Sequence, residues 1–173
     1  MRNIGFFGFQ TSGGGIIPPP VSIDYGSFFD TTTQIFAANT DTPMKFNSVD
    51  LSNGVSIVND GLGNPTQITV TTDGVYNLQF SAQTHKIGGG GTATMYIFFS
   101  KNNIPIPDSN TSFTEANNNR YAVLSWNFFV NLLAGEFMQI IVHTTSNQFR
   151  LENLTPVGMP AVPSIILTVN KIA

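Results

Sequence analysis

The sequence has no cysteine, which excludes a disulfide framework and any thiolate metal site. Charge is scarce as well. Lys, Arg, Asp and Glu make up only 10% of the 173 residues, against about a quarter in an average soluble domain. Seven scattered cations on a chain of net charge −3 cannot line a stripe that follows phosphates, so nucleic acid is not an expected partner. No segment approaches the roughly 20 apolar residues that a bilayer-spanning helix needs, so membrane insertion is not expected either. The only histidines are His85 and His143, and no HExxH, His-x-His or Gly-x-Ser-x-Gly pattern occurs. Nothing sets a nucleophile beside a matched base. The expectation is a protein without catalytic residues, metal or cofactor.

What the chain does have is alternation. In Gln67–Gln83, Ile68 and Val70, then Tyr76, Leu78, Phe80 and Ala82, are interleaved with Thr, Asn, Gln and Ser. That is the period of half-buried strands, and Asp73-Gly74 between the runs reads as a tight hairpin turn. Tyr121–His143 repeats the grammar around Leu132-Leu133-Ala134-Gly135-Glu136. Strands are expected at about 27–36, 67–72, 75–84, 94–101, 109–115, 120–131, 137–145 and 163–171, with a small hairpin inserted over 43–59 and turned at Asn53-Gly54. The predicted architecture is an all-β antiparallel jelly-roll sandwich.

Residues 1–25 read differently from residues 26–173. They carry Phe6, Phe7 and Phe9, then three glycines and Pro18-Pro19-Pro20, a flexible joint followed by a stiff spacer. The expected organisation is an anchoring arm over 1–25, with the three phenylalanines as apolar plugs in another protein, and a knob domain over 26–173.

Gly74-Val75-Tyr76 at the start of one strand, and Leu132 to Gly135-Glu136 before a late one, resemble the jelly-roll superfamily of tumour necrosis factor and the complement globular heads, over roughly residues 26–172. The resemblance implies a homotrimer packed through its inner sheet. Phe129 alternates out of phase with Trp126, Phe128 and Val130, so it points away from the core and wants a partner. The implied interface is Phe129 with Val75, Asn77 and Gln79. The closing strand, Ser164 to Val169, lacks the glycine and aromatic common in that family. The Asn/Thr-rich style of Ser100–Thr114 is similar instead to knobs and fibre heads of bacteriophages.

Strand direction sorts the loops. The chain start shares a proximal pole with 73–74, 102–108 and 132–136. Residues 37–66, 85–93, 116–119 and 146–162 fall at the distal pole, which makes Asn117, Asn118, Asn119 and Arg150 the expected recognition residues, suited to a host-surface glycan. His85 and His143 at that pole could bind a metal together, but read as ordinary rim residues. The expected function is a trimeric virion knob or decoration protein exposed on the particle. The alternatives are a secreted bacterial carbohydrate-binding or adhesion module and a glycosidase-like enzyme. Asp73 and Glu136 read as turn residues rather than a catalytic pair.

Overall fold

A computed structural model describes residues 23–173. The arm residues Phe6, Phe7 and Phe9 lie outside them. Two antiparallel sheets of seven strands each pack face to face, and no helix occurs among the described residues. The first sheet holds β1 (Tyr25–Asp30), β2 (Gln34–Ile35), β4 (Ser48–Asn53), β7 (Gly74–Lys86), β11 (Arg120–Leu132), β13 (Phe149–Leu151) and β14 (Ile165–Lys171). The second holds β3 (Thr42–Pro43), β5 (Val55–Asn59), β6 (Pro65–Val70), β8 (Ala93–Lys101), β9 (Ile104–Pro105), β10 (Thr111–Glu115) and β12 (Phe137–Thr144).

Alternation accounts for the core. Tyr76, Leu78, Phe80 and Ala82 of β7 and Leu167 and Val169 of β14 bury against Met95, Ile97 and Phe99 of β8 and Met138, Ile140 and Val142 of β12. Each of the large aliphatic and phenylalanine side chains among them contributes about 1.5–3 kcal/mol by leaving water. Phe80 meets Phe99 edge-on at 6.0 Å between centroids, a favourable aromatic arrangement.

The expected hairpins are corrected. β6 lies in the second sheet and β7 in the first, and β11 and β12 are divided in the same way. Asp73-Gly74 and the Leu132–Glu136 turn therefore carry the chain across the sandwich. The hairpin expected over 43–59 is absent: β4 runs through Gly54 directly into β5 with no turn between them, and β4 pairs with β1 while β5 pairs with β6. Alternation specifies which face is buried, and two strands facing one core from opposite sides satisfy it as well as two neighbours do. The first expected strand is split, because Asp30 Oδ1 accepts a hydrogen bond from Thr32 N at 2.7 Å, and this turn separates β1 from β2. Residues 53–54 also lie at the proximal pole, not the distal one, since Thr71 N donates to Gly54 O at 2.9 Å.

The proximal pole is closed by a buried knot. The Tyr76 hydroxyl donates to Asp24 Oδ2 at 2.9 Å, and Thr72 Oγ1 bonds the same oxygen. Burial above all, with the Asp24 carboxylate adding to it, pushes the Tyr76 phenol above its usual range. Gly54 packs over this carboxylate with φ of +68°.

Candidate functional site

β7 and β11 pair along their whole lengths, from Gly74 opposite Leu132 to Lys86 opposite Arg120. The face they turn away from the core sets Asn77 beside Phe129, Gln79 beside Asn127 and Val75 beside Asn131. Asn127 Nδ2 donates to Asn77 Oδ1 at 3.5 Å, and Asn77 Nδ2 to Asn170 Oδ1 at 3.4 Å. A strip of amides thus crosses three strands. Apolar groups flank it: Phe129 is 56% exposed, and Val123 and Ile166 are exposed as well. All four residues singled out from the sequence, Val75, Asn77, Gln79 and Phe129, share this one face.

β11 is an edge strand of the first sheet, and β10 ends the strand order of the second. The sandwich is open between them. Trp126 and Phe128 reach inward, with ring centroids 4.5 Å from Phe80 and 4.6 Å from Phe99, yet both stay half-buried because no further strand covers that side. Two hollows line the opening, the second of them mainly apolar. One of about 270 Å³ lies against Met95, Phe113 and Trp126. The other, of about 530 Å³, lies against Ile104, Ile106 and Val130.

At the distal pole the structure joins residues distant in sequence. His85 Nδ1 lies 2.6 Å from Glu152 Oε2 and its Nε2 lies 3.0 Å from Asn119 Oδ1. Its ring stacks on Tyr121 with centroids 3.9 Å apart, and Arg150 Nε donates to the same Glu152 oxygen. Glu152 was not anticipated. Its signal was the i, i+2 spacing from Arg150, which places both on one face of an extended segment. Asn118 Oδ1 accepts from Lys86 Nζ at 3.3 Å, and Asn117 N donates to Glu115 Oε1 at 2.7 Å. Asn117, Asn118 and Asn119 are all exposed, although the last two also bond within the fold, while Arg150 is half-buried with its guanidinium against Glu152 and His85.

Lys86 is 0% exposed. Its ammonium donates to Gly91 O at 3.1 Å, Ala116 O at 3.4 Å and Asn117 O at 3.5 Å as well as to Asn118, so a buried cation is held by neutral oxygens and ties two loops together. Replacing Lys86 by Met removes a costly desolvation along with the bonds, and global stability is expected to stay within about 1 kcal/mol of the parent. The loop loses its tether, and amide hydrogen exchange over 115–119 should quicken by about tenfold or more. A variant that fails to fold would make the ammonium a support of the whole sandwich instead.

The two histidines do not meet. His143 stands on the outer face of the second sheet, its Nδ1 2.7 Å from Asp41 Oδ1, across the sandwich from His85. Among the described residues no three His, Cys, Asp or Glu side chains stand close enough to hold a metal ion. Asp73 and Glu136 are turn residues. Asp73 Oδ1 accepts from Ala134 N at 2.7 Å, and Glu136 accepts from Lys101 Nζ and Leu133 N at 2.8 and 2.9 Å. Lys101 above all holds the Glu136 carboxyl below its ordinary range.

No protein-family model and no curated protein matches the sequence. Solved structures do match the fold. Murine APRIL at pH 8.0 aligns over 87% of this chain and 100% of its own, at a TM-score of 0.55 and 10% identity. The Eiger TNF of S. frugiperda aligns over 87% and 93%, at 0.56 and 10%. The globular domain of zebrafish complement 1qA aligns over 86% and 95%, at 0.48 and 17%. At such identities the likeness concerns the fold alone, and the chain has the jelly-roll fold of the tumour necrosis factor type.

Proposed function

We propose that this chain is a non-enzymatic structural knob, a homotrimer on the surface of a bacteriophage or other virus particle, docked by residues 1–25 and presenting its distal loops outward. The observation that carries the trimer is the position of the Phe129 face next to the open side of the sandwich. An exposed apolar face and an apolar opening on one molecule are the two halves of a head-to-tail contact, and such a contact closes into a ring when the rotation allows. The shared fold with APRIL and Eiger supports the same reading. The charge-poor, Asn- and Thr-rich composition and the Gly/Pro joint behind Phe6, Phe7 and Phe9 support a virion part. The distal pole, with Asn117, Asn118 and Asn119 exposed and Arg150 half-buried behind them, is the surface offered to a host.

Sedimentation equilibrium at micromolar concentration tests the reading on the full chain and on a chain starting at Ile23, which keeps the buried Asp24 and its bonds to Tyr76 and Thr72. Both should sediment as trimers with similar melting temperatures, and only the full chain should join particles. A stable monomer would overturn the trimer, and a truncated chain that unfolds would overturn the separate arm.

A further inference from the structure

Residues on the outer face of a two-sheet sandwich ordinarily meet water. On the second sheet three do not. Ser100 and Gln139 are each 3% exposed and Ile141 7%, although their alternation with Phe99, Ile140 and Val142 points them away from the core. Register explains how they come together: Ser100 pairs with Gln139 and Phe98 with Ile141. Pro105 pairs with Ser100 on one flank and Pro43 with Ile141 on the other. The result is a trough of about 200 Å³ with two proline walls, and Asp41 and Asn103 stand at its rim.

The floor is incompletely satisfied. Ser100 Oγ is buried without a hydrogen-bond partner among the described residues. The neighbouring amide has a fixed orientation. Thr66 Oγ1 donates to Asp60 Oδ2, so it can only accept from Gln139 Nε2, at 2.9 Å. Gln139 pairs across the strands with Ser100, which sets its oriented amide beside a hydroxyl with no partner. A buried hydroxyl in that state has lost its water without gaining a partner.

We propose that this trough binds one ring of a neutral sugar. The volume is below the roughly 300–1,000 Å³ of pockets that enclose drug-sized ligands, which suits a single ring. Phe98, Ile141 and the two prolines offer apolar surface to its C–H faces. Ser100, Gln139 and Asn103 offer hydroxyl and amide partners at the edges. An anion would meet the Asp41 carboxylate with no lysine or arginine lining the trough. A cation would find that carboxylate already paired with His143. The trough lies on the opposite sheet from Phe129, so it stays open whether or not the chain assembles into a ring, and the inference does not depend on the trimer.

Amide spectra of the full chain, titrated with D-glucose, D-galactose and N-acetyl-D-glucosamine at millimolar concentration, test this. At least one sugar should shift the amides of Ser100, Asn103, Gln139 and Ile141 in a saturable way. Ser100→Ala should weaken that sugar about three- to tenfold while leaving the melting temperature equal or higher, because it removes an unpartnered hydroxyl. Asn103→Gly, which keeps the left-handed backbone at φ of +66°, should also weaken it. No saturable shift with any of the three sugars would overturn the proposal. So would shifts confined to residues 116–119, or undiminished binding by both variants.

Discussion

Replacing Gly54 by alanine is expected to destabilise the protein by about 3–5 kcal/mol, because two costs of independent origin meet at this position. The left-handed backbone at φ of +68° costs an L-residue about 1–2 kcal/mol. A Cβ there would also lie 2.4 Å from Cγ of Asp24. The carboxylate must move, and with it go the bonds from Tyr76 and Thr72; the buried Tyr76 bond is of the charge-assisted kind worth about 1.5–3 kcal/mol, while water takes over the one from the exposed Thr72. The melting temperature should fall by about 10 °C. Asp24→Ala made alongside separates the two costs. With the carboxylate gone the clash disappears, so the double variant should be more stable than the sum of the single effects allows. Additive effects would mean that the carboxylate accommodates the new methyl without losing Tyr76.

The second large effect is on assembly. Phe129→Glu is expected to leave the proposed trimer monomeric at micromolar concentration with its β-sheet spectrum intact, since the ring is 56% exposed and contributes little to the core. A central aromatic in an interface typically contributes about 2–4 kcal/mol, and a ring closed by symmetry loses that at every contact. Burying an unpaired carboxylate adds to the penalty. Val58, exposed on β5 of the other sheet, supplies the control, and Val58→Glu should leave the trimer unchanged. A trimer that survives Phe129→Glu would place the contact elsewhere.

These two sites were legible in the sequence to different degrees. The outward direction of Phe129 follows from its phase against Trp126 and Phe128, a local property that periodicity reports. Asn53-Gly54 marked the left-handed position that Gly54 occupies, but as a crossing between the sheets and not as a hairpin turn. What the turns connect was not legible, because β6 and β7 bury their faces toward the same core from opposite sheets, and alternation is blind to that choice. The two- and three-residue strands β2, β3, β9 and β13 are too short to show a period. The trough depends on them most of all. Pro43 and Pro105 become walls only through the register of β3 against β12 and of β9 against β8, and Ser100 meets Gln139 across 39 positions of chain. Glu152 and His85 likewise meet only through the fold.

The division of successive strands between the two sheets also bears on how the molecule is made. β1 is sandwiched between β4 and β14, and β7 lies between β14 and β11. During synthesis the early strands emerge long before their partners, and closing such distant pairs is slow. The first sheet stays incomplete, its apolar face uncovered, until Ile165–Lys171 has left the ribosome. For that interval the nascent chain exposes pairing edges to every other copy being translated from the same message. The low share of charge, 10% of residues, weakens one of the usual deterrents to edge-to-edge pairing, so a cell producing this protein in quantity depends on the rate at which β14 arrives.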